Sequence, residues 1–573
     1  MNHSLLLPVL IPLVAAATMI ALPVRATRLQ RAVHVIATLA LLPVAVVLWR
    51  RAASGEIPVY ALGHWSAPFG IVLQLDRLGA LMLALTAVLA CCSMIATTTA
   101  DARRGRYFRP LFQFQLMGLN GAFVAGDLFN LFVFFELLLI ASYALLLHGG
   151  DRLRVRNGLH YLVLNLAGSS FFLIALGVLY GVTGTLNMAD AGERIAQLAA
   201  AGADTLPLAR FAGAMLMLAF GLKAALFPMS FWLPQAYRSA IGPVAALFAI
   251  MTKVGVYAML RCDALVFGGA GGLLGAFMHD WAWWLAIATM VFGALGALAV
   301  QSLKATTGYV VLVSVGLLIA AASMQTVAAS SALLYYLVST TLCTAALFVL
   351  ADVLEWQPQT PEEADELGPR GAAGFAVPRA ASVVIAPAVP AVVSGAALAV
   401  DALLAASEGV AVAGRTAVAS MADTADVSRA PNALAPPSRT AGLLFLVAAL
   451  GAIGLPPLSG FLGKAMVLTA TPLALATVLW PVVLVSSLVL IVALSRTGTR
   501  ILWAMPASYR YAPAPETVAP PPRRTKLIAC ALLLACMVAM TLGAGPLKHY
   551  LDDAAAQLSD RTAYVDAVLH AGW

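Results

Sequence analysis

Apolar runs of eighteen or more residues recur from one end of this 573-residue chain to the other, and a run of that length is what a helix needs to cross the hydrocarbon of a bilayer. Only helices and closed barrels satisfy their own backbone groups in lipid. The pattern therefore points to an all-α polytopic membrane protein. Hydrophobic residues make up 62% of the chain and charged ones 10%, with a mean hydropathy of +0.92. A soluble domain of that composition is excluded. The formal charge of +8 would suggest nucleic acid in a soluble protein. Here the arginines fall between apolar runs, where cytoplasmic loops collect positive charge, and no nucleic-acid partner is expected. The six cysteines lie mostly in apolar runs without a CxxC pair, so neither a metal site nor a disulfide framework is implied. No Gly-rich phosphate loop precedes a helix, and no catalytic residue or cofactor is expected.

Runs and loop breaks place about fourteen spans, near 5–24, 32–50, 76–98, 109–125, 128–147, 157–181, 209–233, 243–262, 281–301, 306–323, 331–354, 441–468, 473–495 and 526–545. The first lacks the basic start and clean cleavage site of a signal peptide and reads as a span. Arg25, Arg28 and Arg31 open a series of positive odd-to-even loops, continued by Arg103 to Arg109, Arg152 to Arg156, Arg238, Lys304 and Arg496 to Lys526. Arg50 and Arg51 are the clearest exception. An even number of spans with positive odd loops puts both termini on the outer face. Residues 355–440 open acidic and turn Ala-, Val- and Pro-rich, ending in APNALAPPSR. Pro387 and Pro390 interrupt the apolar run near 381–400, so the segment reads as a long, partly disordered cytoplasmic linker, with room for an interfacial helix near 391–412. Pro513–Pro522 reads as an extended loop.

The stretch GLKAALFPMSFWLPQAYRSAIGPVAALFAIMTKVGVY, residues 221–257, is the most informative. Lys223 and Lys253 sit inside apolar runs, where a charge costs roughly 2.5–3.5 kcal/mol on insertion scales. Pro228, Pro234 and Pro243 lie between them, each removing a backbone donor. A membrane tolerates that only where the broken backbone is buried or lines a wet cavity, so the seventh span reads as a discontinuous helix beside an ammonium group. A second such pairing follows in GAIGLPPLSGFLGK, where Pro456 and Pro457 break the twelfth span ahead of Lys464. Glu136 stands alone in FFELLLIASYALL, nine residues after Asp127. It is either a neutral, hydrogen-bonded carboxyl or the counter-ion of Lys223, and the rarity of lipid-facing carboxylates favours the counter-ion. Snorkelling is the alternative for the lysines, and Lys304 is as well explained as an interfacial anchor as by a relay. His279, Trp281, Trp283 and Trp284 read as an interfacial belt. Asp76 reads as a helix-end residue paired with Arg77 or a neighbour.

GLKAALFPMSFWLPQAYRSAIGPVAALFAIMTKVGVYAM, FFELLLIASYALL, YYLVSTTLCTAALFVLAD and GLPPLSGFLGKA together resemble the D-type subunits of the Mrp (Mnh, Pha) multisubunit Na+/H+ antiporters. More distantly they resemble the antiporter-like membrane subunits of respiratory complex I. The resemblance runs from about residue 60 to 500 outside the linker. It implies fourteen helices in two inverted five-helix repeats, spans four to eight (109–262) and nine to thirteen (281–354 and 441–495), with broken seventh and twelfth helices. Residues 1–108 would be an N-terminal three-helix segment and 496–573 a last loop, span fourteen and an outer tail. The resemblance carries a proton-translocating role to Glu136, Lys223, Lys253 and Lys464. Ser230, Ser314, Ser339 and Thr344 stand where relatives often have histidine or lysine, so the relay between Lys253 and Lys464 would run through hydroxyls and water, with Lys304 a candidate member.

The expected function is then a proton-translocating component of an Mrp-type cation/proton antiporter in a bacterial inner membrane. Its partners would be the A, B, C, E, F and G subunits, H+, Na+ and the surrounding lipid. A redox-driven subunit of complex I or of a membrane-bound hydrogenase is the second reading, and a non-conducting scaffold the third. The arginine distribution generates a direct test of topology. A reporter fused near Pro436 should behave as cytoplasmic and one fused after His570 as periplasmic; reversed signals at both sites would mean the span count is wrong.

Overall fold

The computed structural model describes residues 3–23, 25–65, 70–103, 105, 107–150, 152–268, 277–355, 439–503 and 523–569. The helix expected near 391–412, the Pro513–Pro522 loop and nearly all of the 355–440 linker lie outside the described residues. In chain order the helices are α1 (Leu7–Ala21), α2 (Thr27–Ala53), α3 (Arg77–Ala96), α4 (Thr99–Arg103), α5 (Phe108–Val124), α6 (Leu128–Leu146) and α7 (Arg152–Thr183). Then come α8 (Met188–Ala200), α9 (Leu206–Ala224), α10 (Trp232–Ser239), α11 (Gly242–Phe248), α12 (Met251–Cys262), α13 (Trp283–Ala299), α14 (Leu303–Ser323) and α15 (Val327–Leu354). The last are α16 (Arg439–Ile453), α17 (Ser459–Ala470), α18 (Leu473–Trp503), α19 (Arg523–Leu542), α20 (Ala544–Ser559) and α21 (Arg561–Leu569). A short antiparallel hairpin, β1 (Val59–Ala61) with β2 (Val72–Gln74), joins α2 to α3.

Among the described residues, eleven helices are long and apolar enough to cross a membrane. The helices α1, α5 and α16 are shorter, at 15, 17 and 15 residues. Burial sorts them into a centre and a rim. The most apolar windows of α14 and α15 are 94% buried and that of Gly242–Phe267 is fully buried, whereas those of α18, α2 and α7 are 22%, 33% and 39% buried. A helix apolar all round belongs inside when protein surrounds it and against lipid when protein does not. The two groups therefore share one composition but not one place.

The two ends of the bundle are distinct. At one end Arg51 donates to Ser4 at 3.1 Å, Gln557 to the carbonyl of Gly55 at 3.4 Å, and Arg77 pairs with Asp553 at 3.2 Å. The first and last described stretches therefore share that end with the hairpin. At the other end Lys526 pairs with Asp101 at 3.4 Å and Asn157 donates to Ser239 at 2.6 Å. That end also carries most of the arginine-rich turns. The amphipathic α8 and the pair α20 and α21 cover the first end, where the sequence reading saw only loop and tail.

Glycines set how closely the helices approach. A Cβ on Gly460 would overlap the carbonyl oxygen of Gly451, and one on Gly255 would stand 2.7 Å from the backbone nitrogen of Ala224. The halves α16 and α17 thus touch backbone to backbone across their break, and α12 presses on the broken end of α9. Gly460→Ala should therefore cost at least the roughly 1–3 kcal/mol of an overpacked core, because backbone cannot move aside as a side chain can. Gly177→Ala, with nothing within 4 Å of its Cβ position, should be silent. Thermal stability of the detergent-purified complex carrying each variant checks this; equal melting temperatures would refute it.

Candidate functional site

The seventh span breaks where the prolines demanded. The helix α9 ends at Ala224, and Ala225 follows in the left-handed region at φ 64. The Leu226 N–H turns back to the Gly221 carbonyl at 2.8 Å. Pro228 lies in the interruption, but Pro234 sits in the first turn of α10 and Pro243 at the start of α11, positions a helix tolerates because its first N–H groups are unpaired anyway. Other helices supply the missing partners. The Phe227 N–H donates to Thr289 Oγ1 at 2.9 Å, and Trp232 Nε1 donates to the Leu222 carbonyl at 3.3 Å.

Lys223 stands in the last turn of α9 and is 5% exposed. The sequence offered Glu136 as the counter-ion of Lys223, and the structure places the two groups on either side of one hydroxyl. Lys223 Nζ donates to Ser169 Oγ at 3.2 Å, and Ser169 Oγ donates to Glu136 Oε1. The ammonium also lies 5.3 Å from the Phe135 ring centroid, within cation–π range. Ser169 comes from α7, whose Gly168 packs against Leu222, so a missing side chain at 168 lets the hydroxyl reach the lysine. Sequence reasoning missed Ser169. Its neighbour Ser170 looks identical in the sequence but bonds back to the Leu166 carbonyl at 3.1 Å, the usual fate of a hydroxyl in an apolar helix.

The twelfth span breaks at Ile453, and Gly454, Pro456 and Pro457 lie in the interruption before α17. Lys464 reaches back across it. Its Nζ donates to the Ile453 carbonyl at 2.6 Å and to Ser487 Oγ on α18 at 2.8 Å. Gly454 has φ 81, and a Cβ there would stand 2.7 Å from Lys464 Cδ. Both the turn and the lysine stem therefore require glycine. Ser487 and Thr289 were also missed in the sequence, as single hydroxyls with no local signature.

Lys253 is fully buried, and among the described residues its Nζ has no hydrogen-bond partner. The buried hydroxyls of Thr252 and Ser230 are likewise without a partner. Ser339 Oγ meets Ser459 Oγ at 2.8 Å, next to the twelfth-span break. Ser314 and Thr344 bond to their own helices, at the Val311 and Thr340 carbonyls (2.7 and 2.8 Å); neither is brought against a lysine.

Lys304 is no free anchor. Its Nζ lies 2.5 Å from Asp352 Oδ1, and Lys526 Nζ lies 2.6 Å from Asp352 Oδ2. Asp76 pairs with Arg261 through two contacts of 2.8 Å, not with Arg77, whose side chain turns to Asp553 and the Ala52 carbonyl. Of the tryptophans expected in a belt, Trp281 and Trp284 are exposed and Trp283 is buried. Among the described residues no group of His, Cys, Asp or Glu could hold a metal ion. The arrangement places buried amines within hydrogen-bonding distance of hydroxyl and carbonyl groups, with a carboxylate one hydroxyl away from Lys223.

Comparisons with known proteins place the chain in a family. Residues 125–364 match the family model described as "NADH:quinone oxidoreductase/Mrp antiporter, TM". A Rhizobium meliloti protein, named as the D-type subunit of a probable K(+)/H(+) antiporter, is 36% identical over 100% of this chain and 98% of its own length. The D-type subunit of the Na(+)/H(+) antiporter of Bacillus subtilis is 30% identical over 99% and 100%. Among solved structures, a chain of the Mrp complex from Dietzia sp. superposes with a TM-score of 0.74 at 24% identity, covering 99% of this chain and 100% of that one. A chain of the archaeal membrane-bound sulfane sulfur reductase gives 0.76 at 22%, with the same coverage; both are likenesses of fold. The chain belongs to the family of D-type subunits of the multisubunit Mrp-type cation/proton antiporters.

Proposed function

We propose that this chain is the proton-translocating component of a multisubunit monovalent cation/proton antiporter, in which protons move through Glu136, Lys223, Lys253 and Lys464. The observation that carries the proposal is the Glu136–Ser169–Lys223 bridge at a broken helix. A buried amine held by a hydroxyl can exchange its proton, and a carboxylate one hydroxyl away can stabilise its charged form. The unpartnered atoms of Ser230, Thr252 and Lys253 have hydrogen-bonding capacity that a water file could use. Two full-length relatives named as antiporter subunits support this reading over a redox-driven pump.

The finer architecture follows in the same reading. The eleven long spans with α1, α5 and α16 make fourteen, and the breaks in the seventh and twelfth fit two inverted repeats. Both ends of the described chain share one face, which the arginine pattern assigns to the periplasm of a bacterial inner membrane. The lightly buried rim helices α2, α7 and α18 leave apolar surface for lipid and for the A, B, C, E, F and G subunits. Names of relatives give both K+ and Na+, so the exchanged ion is a monovalent alkali cation, with Na+ our first choice.

Cation-induced collapse of ΔpH in everted vesicles carrying the whole complex tests the mechanism. Glu136→Ala and Lys223→Ala should abolish it while insertion is unchanged. Lys223→Arg should also fail, because a guanidinium keeps its proton; near-normal exchange would leave only a structural ion pair. Ser169→Ala removes a hydrogen bond to charged groups worth about 1.5–3 kcal/mol, so exchange should slow about tenfold or more. Ser170→Ala should have no effect, and equal rates for the two serine variants would refute the bridge.

A further inference from the structure

Lys253, Tyr257 and Arg261 stand at i, i+4 and i+8 on α12, and residues at that spacing line one face of a helix. All three are at most 1% exposed. The face runs from the relay lysine toward the end of the bundle that holds both chain ends. A polar file of this kind has two opposite uses: it conducts protons outward, or it closes the way. The hydrogen bonds decide between them.

Tyr257 has one proton to donate and two acceptor positions, and all are taken. Its hydroxyl donates to the Phe123 carbonyl at 3.0 Å and accepts from Arg261 Nε at 3.2 Å and Nη2 at 2.8 Å. Arg261 is in turn held by both carboxylate oxygens of Asp76 at 2.8 Å, and Asp76 caps α3 through the Gly79 N–H at 2.8 Å. No hydrogen bond joins Tyr257 to Lys253, whose Nζ has no partner among the described residues. A proton leaving Lys253 outward would have to pass a saturated phenol and then a guanidinium that does not release its own. Above them Tyr564 of α21 places its ring 6.0 Å from the guanidinium and is 2% exposed. The Arg561 side chain on the same short helix donates to the Gly192 carbonyl of α8 at 3.1 Å.

We propose that Asp76, Tyr257, Arg261 and Tyr564 form an outer seal that closes the Lys253 face of α12 to protons and hydrated cations from the outer aqueous phase. This deepens the proton-relay reading of Lys253 and rests on it. The seal spans α3, α5, α12 and α21, so its closure depends on the C-terminal helices being docked. The pair is neutral as a whole, and it works by immobility: every polar atom of Asp76, Tyr257 and Arg261 that faces the file has a fixed partner. A proton on Lys253 then has no outward exit along its own helix.

The test measures two rates in proteoliposomes of the whole complex: passive decay of an imposed ΔpH without alkali cation, and cation-driven exchange. Asp76→Asn unlocks the guanidinium but leaves it without its carboxylate, whereas Tyr564→Ala removes its cover without stranding a buried charge. Each should speed the passive decay several-fold. Tyr257→Phe frees two N–H groups of Arg261 and should also raise the leak, while cation-driven exchange corrected for that leak stays near normal, because the hydroxyl lies on no conducting path. Lys253→Met added to Tyr564→Ala should return the leak to its original level. Should neither Asp76→Asn nor Tyr564→Ala raise the leak, the seal is overturned. Loss of exchange in Tyr257→Phe without a leak would overturn it too, by showing that the file conducts. The relay reading fails separately, if Lys253→Met alone exchanges normally; a leak in Tyr564→Ala that survives Lys253→Met would then place the seal over another path and refute the version stated above.

Discussion

Everything in this molecule depends on how broken backbone is satisfied where no bulk water reaches. An unpaired carbonyl or amide in hydrocarbon costs several kcal/mol, so a helix cannot stop inside a bilayer unless something else finishes its hydrogen bonds. Here the finishing groups come from other elements. Thr289 of α13 takes the Phe227 N–H, and Trp232 of α10 serves the Leu222 carbonyl. Lys464 serves the Ile453 carbonyl with its own ammonium. The last case joins structure to chemistry directly, because the group that completes the break is also a candidate proton carrier. While charged, the lysine is the better donor, so the loading state of Lys464 and the geometry of the α16–α17 junction are linked. The first break is tied instead to α13, through Thr289, so that interruption is held in place by a helix outside the broken span.

Much of this was legible in the sequence, and the limit has a physical form. The spans, the breaks at Pro228 and at Pro456 with Pro457, and the buried lysines follow from properties that act through local composition: length, hydropathy and the loss of a backbone donor. Partners do not. Asp76 invites pairing with Arg77, but adjacent residues on a helix start point in different directions, and the carboxylate takes Arg261 from 185 residues away. Ser169, Ser487 and Thr289 are unreadable for another reason. Most hydroxyls in these helices bond four residues back, as Ser170, Thr341 and Thr344 do, and nothing local marks the few that reach across. The terminal helices α20 and α21 escaped because the stretch after the last span is polar enough to pass for tail. Its apolar residues Leu551, Leu558, Tyr564 and Val568 are buried in the structure. Pro234 misled in the opposite direction, since a proline at a helix start and a proline at a break look alike without the caps.

The polar groups divide into two populations, and the division is itself an argument for transport. At one end of the bundle Asp76 and Arg261 are locked together. At the other, two lysines and two carboxylates balance: Lys304 and Lys526 share Asp352, and Lys526 leans on Asp101, which Thr98 holds at 2.7 Å. Lys304 also donates to the Ala240 carbonyl at 3.3 Å, the residue that ends α10, so this network fixes the far end of the broken seventh span. Groups paired this strongly do not trade protons readily, since breaking a buried pair costs about 3–5 kcal/mol. Between the two ends the pattern reverses. Lys223 has a hydroxyl, Lys464 a hydroxyl and a carbonyl, and Lys253 no partner among the described residues. A protein that needed these lysines only for stability would have paired them as it paired Lys304 and Lys526. The middle three have hydroxyl and carbonyl partners or, among the described residues, none, between ends held by paired charges, and that contrast is what the proposed proton path calls for.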